Sequence, residues 1–137
     1  MAVGDVMKEE NLIVEVFTVA SAVDIELGEI VWNSGSGIIA ATVHSTVRGP
    51  YFMARKEHDY SAETDHDIPC VVVGLVDAQV TPSATIPKGR YLEIDSDGDL
   101  DILDYTSATG WYEIAAISMD ELLTTDTHGL VLLGTFP

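Results

Sequence analysis

Apolar and polar positions along the chain change over with short periods, and no stretch repeats every 3.6 residues as an amphipathic helix requires. Leu12–Val19 is rich in Ile, Val and Phe and is interrupted only by Glu15, so it reads as a strand covered on much of both faces. Ile68–Val76, with the sequence IPCVVVGLV, is a second dense run. Pro69 lies near its start, where a missing ladder donor is tolerated, and Gly74 inside it predicts a bulge or a close backbone approach. Tyr51–Arg55, Trp111–Ile117 and Leu130–Phe136 supply further short strands. Ser118 and Glu121 fit the spacing of a capping box, which predicts one short helical turn through Leu123.

Two stretches share one plan. In Ile25–Val43 and again in Ile86–Asp104, a Gly opens an apolar run, a Gly-bearing polar turn follows, and a second run closes it. Gly28 and Gly37 are nine residues apart, as are Gly89 and Gly98. Each stretch reads as a β-hairpin, and Asp97-Gly98 is the sharper turn signal because both residues tolerate a positive φ. The chain therefore contains two related hairpin modules about sixty residues apart. Short strands with turn signals every ~8–12 residues predict an all-β fold. The expected form is a small antiparallel β-barrel or sandwich with at most one short helical turn. The expected organisation is a flexible N-terminal arm over residues 1–10, which has no period of its own, and a single barrel-like domain over 11–137.

Composition adds an acidic surface to this picture. The 137 residues carry 23 acids against 6 bases, a net charge of −17, yet 47% are hydrophobic, so a core is available and disorder is not the expectation. Such a surface repels nucleic acid, which needs Lys and Arg to contact phosphates, and repels anionic membranes. Lys occurs only at 8, 56 and 88. Few Lys and many acids fit either a basic partner surface or a halophilic source, where salt screens the self-repulsion. No apolar run approaches the ~20 residues of a membrane-spanning helix, and the first residues lack the basic and apolar regions of a signal peptide. Synthesis and assembly in the cytoplasm are expected.

Candidate chemistry is sparse. Asp95, Asp97, Asp99 and Asp101 alternate through D-S-D-G-D-L-D but fail the EF-hand pattern: the sixth and twelfth positions from Asp95 are Leu100 and Thr106. A looser Ca²⁺ or Mg²⁺ site remains open beside the plainer reading of a solvated acidic turn. His58, Asp59, Asp65, His66 and Asp67 crowd the polar stretch Lys56–Asp67, which reads as an exposed loop able to meet a partner; a transition-metal site there is the alternative. Cys70 is the sole cysteine and reads as a small buried hydrophobe. No G-x-S-x-G, P-loop or G-x-G-x-x-G occurs, so an enzyme is not expected.

In several stretches the chain resembles the small capsid decoration, or cement, proteins of tailed viruses. They are Val19–Ala22 leading into Leu27–Val31, Val71–Val76, Ile86–Gly89 with Leu92–Asp95, and Trp111–Ile117 with Gly129–Leu133. The likeness spans most of 11–135. Two features depart from it: Tyr51–Asp67 is longer and more acidic, and the strands are bulkier than the family's alanine- and glycine-rich ones. The resemblance implies a barrel-like fold, a homo-oligomer such as a trimer on the major capsid protein at the capsid exterior, and no catalysis or cofactor. Within it, Val3, Val6 and Met7 of the N-terminal arm are the expected partner contacts. The rival is a small acidic ligand- or cation-binding β module with Trp32, Tyr51 and Trp111 as ligand contacts.

Overall fold

The computed structural model describes residues 12–42, 49–104, 106 and 113–134. The N-terminal arm, with Val3, Val6 and Met7, and Trp111 lie outside them. Nine strands follow in order: β1 Ile13–Thr18, β2 Ile30–Asn33, β3 Ile38–Ala40, β4 Phe52–Ala54, β5 Asp67–Gln79, β6 Tyr91–Ile94, β7 Leu100–Ile102, β8 Ala116–Ser118 and β9 His128–Leu133. All pairings between them are antiparallel, and the described residues contain no α-helix.

The long strand β5 divides the molecule. Its first part pairs with β1 and β4, and the sheet continues through β2 to β3. Its second part pairs with β9, and that sheet continues through β8 and β6 to β7. Each sheet curls until its ends nearly meet. Val19, just past β1, bridges Ile38 in parallel, and Val80, just past β5, bridges Leu100. The Ala20 amide donates to the Ile38 carbonyl at 3.1 Å and the Thr81 amide to the Leu100 carbonyl at 2.9 Å.

The two halves are an internal repeat. Thr18 faces Asp67 in the first, and Gln79 faces His128, 61 residues on, in the second. Ile25 bridges His58, and Ile86 bridges Leu122. Gly28 donates to the Ala54 carbonyl, and Gly89 to that of Ser118. The repeated hairpins of the sequence are thus part of a larger unit that covers all five strands of each half.

Alternation within the strands builds two cores. In the first half Val31, Phe52, Ala54, Ile68 and Cys70 face the interior of the curl together with Val19, Ile25 and Ile38. Their neighbours Ile30, Met53 and Val71 point the other way and join the core of the second half, with Ile86, Leu92, Leu100 and Val131 among others. All three are fully buried. The second half therefore sits on the outer face of the first. Deleting one of these side chains would cost ~2–5 kcal/mol.

Several expectations need correction. β1 is an open edge rather than a covered strand: Ile13 and Val16 are 51% and 63% exposed, because β1 has β5 on one side only among the described residues. No helix starts at Ser118. That residue ends β8, and its hydroxyl donates to the Pro87 carbonyl at 2.9 Å and accepts the Arg90 amide at 3.0 Å. A side chain so bonded holds the Gly89 turn. Lys56–Asp67 is not simply exposed, since His58 near its start is buried in the bridge to Ile25. Gly74 does mark a close approach: a Cβ there would meet the Leu12 side chain at 2.5 Å, at a φ of 150°.

Candidate functional site

The acidic turn is the most charged feature of the seam between the halves. Ser96–Asp99 closes with an Asp99-to-Ser96 backbone bond of 3.1 Å, and Asp97 and Gly98 both have positive φ, 48° and 83°, as a primed hairpin turn requires. Asp95, Ser96 and Asp97 are exposed, but Gly98 is buried against the first half. The Gly98 carbonyl accepts the Ile30 amide at 2.9 Å, and the Gly98 amide donates to Ala41 at 2.8 Å. A side chain at 98 would collide with Glu29 and with the Ile30 carbonyl.

Its four aspartates diverge. Asp95 accepts the Thr81 hydroxyl at 3.0 Å, while Asp101 accepts the amides of Ser83 at 3.1 Å and Ile102 at 2.7 Å. Asp97 and Asp99 instead share the field of Glu26 and Glu29. Among the described residues no group of three or more His, Cys, Asp or Glu is arranged to hold a metal ion. What the arrangement favours is a proton. Burial, with Glu26, Asp99 and Asp97 nearby, pushes Glu29 up to about 7 against the bond its carboxylate accepts from the Glu26 amide. Burial, with Glu26, Asp95 and Asp97 nearby, raises Asp99 as well.

Beside this turn lies a cleft of about 310 Å³ lined by Glu26, Gln79, Thr81, Asp99, Thr127 and His128 with Val80. Gln79 Nε2 donates to Glu26 at 3.0 Å and to the Leu27 carbonyl at 3.1 Å. His128 Nδ1 lies 2.9 and 2.8 Å from the two oxygens of Asp77, which is fully buried. Sequence reasoning passed over both Glu29 and the Asp77–His128 pair. For the pair a signal existed: Asp77 is the one charged residue between Ile68 and Val80, and a buried carboxylate needs a partner.

The second cluster closes the mouth of the first curl. His58 Nε2 lies 2.9 Å from His66 Nδ1, and His66 stacks on Tyr60 with ring centres 3.7 Å apart. His58 Nδ1 is 3.1 Å from Glu63, within ion-pair reach but not aligned for a hydrogen bond. The Asp59 amide and Lys56 hold the Glu63 carboxyl below its ordinary range. The aspartates of this stretch turn elsewhere: Asp59 to Ser61, Asp65 to the Asp67 amide, and Asp67 to Thr18. The structure brings the two histidines together but supplies no aspartate to complete a ligand set. Since His58 occupies the position that Leu122 holds in the other half, its place is that of a core residue.

The remaining candidates are packed. Cys70 is fully buried, and burial pushes its thiol up to about 12, far from a reactive thiolate. Tyr51 is buried, and its phenol is pushed up to about 12 by burial and by Glu113. Trp32 is half-buried against the second core. Neither forms part of an exposed aromatic ring.

No protein-family model matches the chain, and no curated protein does. Among solved structures it is similar to the head fiber gp8.5 N base of bacteriophage phi29, at a TM-score of 0.61 and 13% identity. The match covers 88% of this chain and 94% of that one. At that identity the two share a fold, an all-β architecture common to most of both chains.

Proposed function

We propose that the protein is a structural component of a tailed-virus head, bound to the outside of the major capsid lattice as a decoration or cement protein. The observation that carries this reading is the end-to-end fold likeness to the base of a phage head fiber, which leaves little of either chain unmatched. The packing is in keeping with it. Two curled sheets share one strand, and the core of the second takes in side chains from the outer face of the first, a rigid plug of the kind that can bridge a junction between capsomers and add interface area there. In this reading the protein is a homo-oligomer, for which a trimer is the expected form. Residues 1–10 reach to the capsid or a neighbouring subunit, and the acidic surface reflects a salt-rich host. The protein performs no catalysis and needs no cofactor.

The test is co-sedimentation of the purified protein with expanded and unexpanded heads, followed by thermal disruption of the loaded particles. A cement protein saturates at a fixed stoichiometry and raises the disruption temperature; binding without a rise would leave head attachment without cementing. No binding to either form of head would remove the proposal.

A further inference from the structure

The internal repeat shows what covers one face of the first half and leaves the same face of the second half open. In the first half Val14, Val71, Met53 and Ile30 form one row of direct cross-strand neighbours on the outer face. Three of the four are fully buried, because the second half lies over them. The equivalent row of the second half is Leu75, Leu132, Ile117 and Tyr91, again direct cross-strand neighbours. Among the described residues no further repeat lies over it. Leu75, Ile117 and Leu132 are half-buried, and Tyr91 is 40% exposed.

We propose that this row is the docking surface for a second copy of the chain, which places its first half there. The contact would repeat, between molecules, the one the two halves make within a molecule. Within the molecule, the second half brings its β6–β7 turn onto Ile30. The equivalent parts of a neighbour are its β2–β3 loop and its β1 edge, where Ile13 and Val16 stand exposed. Charge favours the same occupant. Where the covered row has the buried Glu29 beside it, the open row has Arg90, with Lys88 exposed two residues away. These are two of the six bases of a chain that is otherwise strongly acidic, so a second copy brings the complementary sign. The contact is head-to-tail, and such contacts give rings where the rotation closes.

This deepens the oligomer of the proposed function and rests on it, but the assay contains no capsid, so the two can fail separately. Light scattering in molar KCl at about 100 µM, enough to populate a weak contact, should give a multiple of the 14.8 kDa protomer mass. Tyr91→Glu and Ile117→Glu should each return it to the protomer. Leu123→Glu, at an apolar residue that is 44% exposed outside the row, should leave it unchanged. Because Ile117→Glu threatens folding, Tyr91→Glu, with an unaltered circular dichroism spectrum, decides. A photo-crosslinking residue at position 91 should capture the 13–42 region of another copy. A monomeric wild type, an unchanged mass in Tyr91→Glu, or crosslinks only to the second half would overturn the proposal.

Discussion

Replacing Glu29 by Gln should stabilise the protein above about pH 4.5, with the full gain at neutral or higher pH. Glu29 is buried at the seam, 5% exposed, and its carboxyl titrates near 7 rather than at the ordinary 4.5. A raised acid binds its proton more tightly folded than unfolded. Stability is therefore undiminished below about 4.5, falls as the pH rises, and has lost the whole increment above about 7. A shift of this size corresponds to at most about 3 kcal/mol at 1.36 kcal/mol per unit. The adjoining cleft admits solvent and Asp99 shares the titration, so about 2 kcal/mol is the working figure. Gln keeps an oxygen for the Glu26 amide and removes only the charge. Thermal melts followed by circular dichroism should show Glu29→Gln melting roughly 5–10 °C above wild type at pH 8, at roughly 3–5 °C per kcal/mol, and level with it at pH 4. Molar KCl should reduce the gain only in part, because burial is the larger cause and salt screens only the neighbouring charges. An equal shift at both pH values, or a loss at pH 8, would refute the assignment of a buried, proton-binding carboxyl.

Three further outcomes are expected. Gly98→Ala should destabilise by roughly 2–4 kcal/mol in a urea melt, since a Cβ there lies 2.8 Å from the Ile30 carbonyl in a left-handed backbone; a cost under ~0.5 kcal/mol, the level of an ordinary surface change, would mean the turn is not seated on the first half. The melting temperature should rise from low salt to molar KCl as the Debye length shrinks to ~3 Å around a chain of net charge −17, and a fall would count against the acidic surface as a source of strain. Removing residues 1–10 should abolish binding to heads and leave the melting temperature within a few degrees, whereas unchanged binding would leave the sheets as the anchor.

Much of this architecture was legible, because glycines and turns punctuate it. Gly28 with Gly37 and Gly89 with Gly98 marked both hairpins, and all four have positive φ. The larger repeat was hidden for a physical reason. A core position specifies volume and polarity rather than identity, so Val31 answers to Leu92 and His58 to Leu122 while only a few pairs, such as Ile25 and Ile86, coincide. Each hairpin and the connection after it also differ in length, so the offset moves from 61 residues at Ile30 and Tyr91 to 62 at Ala40 and Ile102 and 64 at Met53 and Ile117. β1 misled because its apolar residues were read as burial, whereas they stand at an open edge. The seam could not be read at all. That Glu29 would be buried follows from the arrival of a turn almost seventy residues later in the chain.

The two faces of the repeat have diverged in a way that follows from what lies over each. Under the seam the row is Val, Val, Met and Ile, side chains with no polar atom to satisfy, and three of them are excluded from water. On the open face the row is Leu, Leu, Ile and Tyr, and its most exposed member has a hydroxyl that can remain wet while the ring packs. A half that carried the seam's residues on an open face would expose a contiguous apolar strip, and one that carried Tyr91 under the seam would bury an unpaired hydroxyl at a cost of ~1–3 kcal/mol. The flanking charge follows the same logic. Glu29 is tolerated beside the covered row because it can take a proton, whereas near the open row Lys88 stands exposed to solvent. In the proposed assembly, one repeat serves a permanent contact in one half and a reversible one in the other.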